Sequence, residues 1–314
     1  MQIFMTGGTG FVGTALTKSL IEKGHLVTVL THEARLPSLK LEGLSYLQGN
    51  PMAKGKWQQA VPGHDVIINL AGASIFSRWT DSYKKVLRQS RILTTRHLVD
   101  ALPADGKPVT FFSTSAVGYY GFSQDEELTE TAPAGKDFLA GLAVDWEQEA
   151  LRAESKRARV ILTRFGIVLG PSGGALGQMI PLFKYFLGGP LGSGTQWFSW
   201  VHMDDLTRAF AFLLEQTDLS GAFNVCSPHP VRNQELARAI GRALRRPSFM
   251  PAPAFMIELI LGEFGSVLLK GQRVIPRRLL DAGFAFAYPE IDRALRHIRS
   301  EEHTSELQSH SGIS

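Results

Sequence analysis

The stretch Thr6-Gly7-Gly8-Thr9-Gly10-Phe11-Val12-Gly13 constrains this chain more than any other. It follows a short apolar run, Gln2 to Met5, that reads as a strand. It leads into Ala15, Leu16, Leu20 and Ile21 at helical spacing, closed by Gly24, a good helix C-cap. His25 to Leu30, rich in Val and Leu, reads as a second strand. Strand, glycine turn, helix and strand within about 30 residues is the arrangement that cradles a pyrophosphate. In this reading Gly7 permits the tight turn and Gly10 lets the backbone approach the anion. Gly13 lets the helix pack close to the sheet, and the helix N-terminus offers its free N–H groups. Gly8, Thr9, Phe11 and Val12 complete the predicted cofactor contacts of the turn.

The end of the second strand discriminates between dinucleotides. An acidic residue there accepts the ribose hydroxyls of NAD, whereas basic or small polar groups suit the extra phosphate of NADP. The positions are Thr31 and His32, with Glu33 and Arg35 beyond them. Thr31, His32 and Arg35 make NADP the expected cofactor, and Glu33 keeps NAD possible.

The alternation continues. Leu44 to Leu47 is a weak third strand, and His64 to Leu70 is a nearly continuous apolar run, as in a parallel strand covered on both faces. That run ends at Leu70-Ala71-Gly72, where small residues leave room for a cofactor. Ser82 to Leu102 is a long helix. Val109 to Phe112 is a strand that runs into Ser113-Thr114-Ser115-Ala116-Val117-Gly118-Tyr119-Tyr120-Gly121. The fold class is therefore α/β, a Rossmann-type doubly wound parallel sheet with a smaller α/β C-terminal substrate or capping part. The expected division is a nucleotide-binding domain over residues 1–170, to which a segment near 200–230 returns, and a capping region over 171–298. Within the latter, Ala175 to Leu187, Asp204 to Glu215 and Val231 to Leu244 read as helices, and Gly221 to Cys226 as a strand. Phe255 to Leu269 is strongly apolar, suited to covering the sheet domain or to a homodimer interface, and Pro247 to Pro253 is a candidate hinge.

Composition narrows the function classes. The 314 residues are 44% hydrophobic and 20% charged, which excludes a disordered or fibrous chain. One cysteine, Cys226, excludes an intramolecular disulfide and a cysteine-based zinc cluster, and points to a cytoplasmic protein without a metal centre. The N-terminus lacks a signal peptide's basic and long apolar regions. No run reaches the roughly 18 apolar residues of a membrane span. The 33 basic residues against 29 acidic ones are dispersed, so neither nucleic acid nor a membrane is the expected partner. Residues 299–314 have no apolar periodicity and read as a solvated tail. They resemble a translated sequencing adaptor and are expected to be non-native. Without them 32 basic residues face 26 acidic ones, a net charge of +6.

The glycine turn, Asn69 to Ala73 and the Ser113-Thr114-Ser115 run resemble an extended short-chain dehydrogenase/reductase. So do Arg164-Phe165-Gly166-Ile167-Val168-Leu169-Gly170-Pro171 and His202-Met203-Asp204-Asp205-Leu206. Gly262-Glu263, Leu269 to Pro276 and Ala282 to Pro289 resemble the small C-terminal module of the atypical branch called epimerase family proteins. The resemblance spans about residues 1–298 and implies NAD(P)-dependent oxidoreductase or epimerase chemistry on a small molecule, with Ser115 at the catalytic serine position. The family pairs that serine with Tyr-x-x-x-Lys on the next helix. Aligned through Glu147, the chain has Leu139 and Ala143 at those positions, and neither can titrate. Tyr119 and Tyr120 are the candidate replacement proton donors, ahead of Asp145. His202 is either titratable or structural. Family epimerases hold a substrate pyrophosphate with an arginine where this chain has Phe198, so a nucleotide sugar is not the expected substrate. Trp197, Phe198 and Trp200 suggest an apolar or planar ligand, or a packed lid. Trp79, Arg88 and Arg91 resemble motif positions of the branch; an unpaired arginine near the cofactor could bind an anion, with a solvated surface as the default for the arginines. Two functions follow as alternatives: an enzyme using an unorthodox proton donor, or a catalytically inactive NAD(P)-binding regulatory protein.

Overall fold

A computed structural model describes residues 1–33, 39–104, 107–171 and 173–311, with side chains to Glu302. The first elements are β1 (Gln2–Thr6), α1 (Phe11–Glu22), β2 (Leu26–Thr31), β3 (Leu44–Gln48), β4 (Val66–Asn69), α2 (Asp81–Ala101) and β5 (Thr110–Ala116). They are followed by β6 (Glu127–Leu128), α3 (Phe138–Leu151), β7 (Arg159–Phe165), β8 (Ile167–Leu169), α4 (Gly174–Lys184), β9 (Trp197–Phe198), β10 (Trp200–His202) and α5 (Met203–Glu215). The last are β11 (Gly221–Val225), β12 (Val231–Arg232), α6 (Asn233–Leu244), α7 (Ala254–Leu261), α8 (Glu263–Leu268), β13 (Arg273–Val274), α9 (Arg277–Asp281) and α10 (Ile291–Ser311).

Seven strands form one sheet in the order β11-β7-β5-β4-β1-β2-β3. The pairings of β1 with β2 and β4, of β2 with β3 and of β4 with β5 are parallel. Strands covered on both faces must be apolar throughout, and Val66 to Asn69 are all buried. The strand order reverses between β1 and β4, and the carboxyl ends at such a switch point form the crevice that binds ligands. Thr6 Oγ1 donates to Asn69 Oδ1 across it at 2.7 Å. Phe4, Ile67, Leu98, Phe111 and Val160 make the core on one side of this sheet.

The chain forms two compact units. The first comprises Met1–Gly121, Pro133–Arg164 and Thr207–Phe223, and the second Phe122–Ala132, Phe165–Leu206 and Asn224–Ser314. In the second unit Leu176, Phe183, Trp200, Leu236, Ile240, Leu295 and Ile298 form a separate core.

One local expectation is corrected, and two segments gain a defined structure. Val231 and Arg232 pair with β9 as a strand, and the helix begins at Asn233. The apolar stretch from Phe255 to Leu269 is two helices, broken at Gly262, whose φ of +63° is left-handed. Residues 299–311 continue α10. A helix already docked through Leu295 and Ile298 extends without a new nucleation cost.

Candidate functional site at the carboxyl edge of the sheet

Gly7 has φ +72°, and a Cβ on it would stand 2.7 Å from the Leu70 carbonyl carbon and 2.8 Å from the Ala71 nitrogen. Only glycine therefore lets the β1 turn lie against the end of β4. A Cβ at Gly13 would stand 2.1 Å from the Gly7 oxygen and 2.6 Å from Gly8 Cα. Gly13 thus clears the turn itself, whereas the sequence assigns it to packing against the sheet. Gly8 packs inward on Val29, where a Cβ would meet the side chain at 2.7 Å.

Gly10 caps α1 without a side-chain hydrogen bond. Its N–H donates to Gly7 O at 3.1 Å, and its carbonyl accepts from Thr14 at 2.9 Å. The N–H groups of Phe11, Val12 and Gly13 have no acceptor among the described residues, the ordinary state of a first helical turn. A Cβ at Gly10 would meet only Gly7 O, at 3.3 Å, so the space before the helix is open. Free amides, the positive end of the helix dipole and an open approach fit a dinucleotide pyrophosphate. At the end of β2, Thr31 is buried and its Oγ1 accepts the Glu33 N–H at 3.2 Å, while His32 is exposed. Arg35 lies outside the described residues. Beyond β4, Leu70 N–H donates to Thr6 O, and the Ala73 N–H donates to Ser90 Oγ at 3.0 Å.

The hydroxyl run at the end of β5 is tied into a buried charged network. Ser115 Oγ donates to Glu147 Oε1 at 2.6 Å. The same carboxylate accepts from Arg164 Nε at 2.8 Å and Nη2 at 2.7 Å, a two-point ion pair buried on both sides. Arg164 Nη1 donates to the Tyr120 hydroxyl at 2.9 Å, and its Cζ lies 3.5 Å from the Tyr119 ring centroid. Burial opposes the Arg164 charge, but the hydrogen bonds and charge of Glu147 outweigh it and hold the guanidinium above its ordinary pKa.

The three expected catalytic residues are thus brought together around one guanidinium. Ser115 has its proton committed to Glu147, Tyr120 accepts from Arg164, and the Tyr119 ring lies on the cation. Leu139 lies beside Gly118, where a Cβ would be 3.5 Å from the leucine's own, and Ala143 is buried. By residue type the sequence pattern does not single out Thr114 from its neighbours. Its Oγ1 is buried without a partner among the described residues. Strand alternation, which puts Thr114 on the face opposite Ser113 and Ser115, is the signal that distinguishes it. Asp145 and Arg88 pair with each other at the surface. Trp79 is a buried core residue, and Arg91 is part-buried beneath Gly72 instead of solvated.

In the second unit the predicted aromatic cluster divides. Trp200 is fully buried, donates to the His229 carbonyl and belongs to the core, and Phe198 packs against that core. Trp197 lines a cavity of about 580 Å³ together with Phe122, Ser123, Gln196, Arg232 and Lys270. Its Nε1 donates to Asp125 at 3.0 Å, and Arg232 Cζ lies 3.9 Å from its ring centroid. The size suits a small molecule. His202 is fully buried and stacked on Tyr288 at 4.1 Å. Its Nδ1 accepts the Asp204 N–H at 3.0 Å, so the neutral ring carries its proton on Nε2, 3.2 Å from His297 Nδ1. Burial, then the His297 charge, lowers its pKa to about 3. Its ligand atom lies within 4.8 Å of those of His297 and Glu301, but both ring nitrogens are engaged and none is free for a metal. The ring is a structural strut and has no edge left for substrate.

Sheet order, glycine turn and free helix amides define a dinucleotide-binding α/β protein of the Rossmann type. The chain belongs to the NAD dependent epimerase/dehydratase family, whose match covers residues 3–226. Residues 252–298 match DUF1731, a domain of unknown function. The chain is 41% identical over 306 residues to an epimerase family protein SDR39U1 homolog, chloroplastic, of Arabidopsis thaliana, covering 95% of this chain and 86% of the relative. It is 38% identical to the epimerase family protein YfhF of Bacillus subtilis, over 97% of this chain and all of the relative. Human epimerase family protein SDR39U1, solved with NADPH, superposes with TM-score 0.84 at 34% identity, over 95% of this chain and 99% of that one. Among the described residues, no helix is long and apolar enough to cross a membrane.

Proposed function

We propose that the chain binds NADP(H) and uses it to transfer a hydride to or from a small molecule, without the family's Tyr-x-x-x-Lys pair. The observation that carries this reading is the open turn at Gly10, with the unpartnered amides of Phe11, Val12 and Gly13. The uncharged Thr31 at the end of β2 and the NADPH of the human relative favour the phosphorylated dinucleotide. When bound, the cofactor would donate or accept the hydride, according to its redox state. The chain's own groups bind and orient: the α1 amides hold the diphosphate, and Leu70 to Gly72 leave space beside it. The Thr114 hydroxyl, like that of Ser113, has no partner among the described residues and remains able to hydrogen-bond a ligand oxygen. Leu139 and Ala143 keep α3 apolar and move no proton.

A nucleotide sugar is disfavoured as substrate by Phe198. The buried Cys226, its thiol pushed up by burial, suits a cytoplasmic protein. Phe255 and Leu259, both strongly exposed, suit a homodimer contact. Thermal shift with NADPH and NADH tests the cofactor: NADPH stabilises more, and equal stabilisation refutes the phosphate preference. A second reading, a cofactor-bound regulatory protein without turnover, is favoured by the commitment of Ser115 to Glu147. Oxidation of NADPH by any member of a panel of aldehydes, ketones and free sugars decides for the enzyme.

A further inference from the structure

The cavity of about 580 Å³ belongs wholly to the second unit. Segments distant in sequence meet to form it: the loop Phe122 to Asp125, the residues Thr195 to Trp197 entering β9, and the turn Lys270-Gly271. That turn lies within the 252–298 match, the domain of unknown function. A Cβ on Gly271 would stand 1.9 Å from the Trp197 oxygen, so only glycine brings the turn against β9. The Ser123 N–H donates to Gly271 O at 3.2 Å, and β13 pairs with β6 just beyond, which ties loop to turn.

The charged residues lining the cavity are Arg232, Lys270 and Asp125. Arg232 and Asp125 pair with each other, and Arg232 also donates to the Thr195 carbonyl, so its fork is engaged. Asp125 accepts from Trp197 Nε1 as well. The surplus positive charge therefore rests on Lys270, which has no carboxylate partner among the described residues. Its Nζ lies 5.4 Å from the Phe122 ring centroid. Ser123 Oγ and Gln196 Oε1, both from residues of the wall, are buried without a partner among the described residues. Gln196 Nε2 donates to the Leu191 and Leu268 carbonyls, both at 3.1 Å, which uses both amide hydrogens and leaves the oxygen in want of a donor.

We propose that this cavity binds a small aromatic carboxylic acid bearing a hydroxyl group. Its carboxylate lies on Lys270, its ring against Phe122, and its hydroxyl is supplied to Gln196 Oε1 or Ser123 Oγ. The volume suits a ligand of that size. A lone ammonium matches the single charge of a carboxylate, whereas a phosphate is best held by an arginine fork, and that of Arg232 is taken. The module of unknown function thereby contributes the anion-binding side chain. No residue of the first unit takes part, so the proposal stands whether or not the chain binds NADP(H).

The test uses the full chain and nitrogen-15 NMR of its tryptophan indoles, the Trp197 signal being identified by its loss in W197F. The probes are para-hydroxyphenylacetate and para-hydroxybenzoate, with tyrosol as the control lacking a carboxylate and phenylacetate as the control lacking the hydroxyl. One or both hydroxy acids shift the Trp197 signal saturably, with Kd below about 1 mM, and tyrosol binds about tenfold more weakly or worse. K270M, a change at an exposed position, weakens the acid about tenfold or more and leaves tyrosol within about twofold. Acids that leave Trp197 unmoved, that move only other indoles, or that bind K270M as tightly as wild type overturn the proposal. Phenylacetate bound as tightly as its hydroxylated form overturns the place given to the hydroxyl. Titrations with and without NADPH separate this site from the cofactor reading: the Trp197 response persists even in a chain that fails to bind NADPH.

Discussion

Removing the Glu147 carboxylate is the sharpest test of how the Ser115 region is built. In Glu147→Ala, Arg164 stays buried, loses both hydrogen bonds of its ion pair and keeps the Tyr120 hydroxyl and the Tyr119 ring, which are neutral. Breaking a buried pair by deleting one partner costs about 3–5 kcal/mol. In a unit of this size each kcal/mol lowers Tm by roughly 2–4 °C, so the expected fall is about 6–20 °C. Ser115→Ala removes one donor to a carboxylate that Arg164 still satisfies, and should cost only about 1 kcal/mol. Glu147→Ala combined with Arg164→Met removes both charges, and the double variant should be more stable than Glu147→Ala alone. The assay is urea unfolding followed by tryptophan fluorescence, with calorimetric Tm as a check. A loss below about 1 kcal/mol in Glu147→Ala, or no recovery in the double variant, refutes the view that Glu147 holds Arg164 and Ser115 in place.

Gly13→Ala drives a methyl to 2.1 Å from the Gly7 oxygen, so the turn must open. NADPH binding should fall at least about tenfold in calorimetry, and overpacking should cost about 1–3 kcal/mol of stability. The pH dependence of stability should carry the signature of His202. Its folded pKa, about 3, lies below the ordinary 6.5, so the unfolded chain binds the proton first. Its contribution is complete above pH 6.5 and declines by about 1.4 kcal/mol per pH unit below that, until about pH 3. Asp204, His297 and Glu301 surround the ring, and a urea titration from pH 7 to 5 with no loss of stability refutes its burial as a neutral group. Leu259→Asp, on the exposed face of α7, should convert a dimer to a monomer in sedimentation analysis and leave Tm of the monomer unchanged. A wild-type monomer refutes that interface.

Most of the nucleotide-binding half was legible because its signals are local. The β1 turn, the apolar run at Val66 to Asn69 and the hydroxyl run after Phe112 each follow from neighbours in sequence, through period-two burial or glycine stereochemistry. The second unit was less legible. Val231 and Arg232 look like a helix start, yet β9 supplies partners for their backbone. Trp197, Phe198 and Trp200 look alike in sequence, and only packing separates the cavity-lining ring from the core ones. For His202 the sequence leaves titratable and structural roles open, and the Asp204 amide and Tyr288 decide for the structural one.

By itself the sequence determined the α/β class, the dinucleotide turn and the loss of a titratable pair at Leu139 and Ala143, since each depends on residue type and short-range spacing. Only the tertiary structure decided what the remaining charged and hydroxyl groups do. Ser115 and Glu147 are 32 positions apart and meet at 2.6 Å. Arg164 has a carboxylate waiting, and Arg91 has none among the described residues. Burial costs a charge the water it loses; the partner that offsets that cost comes from a distant part of the chain, and no local pattern announces it.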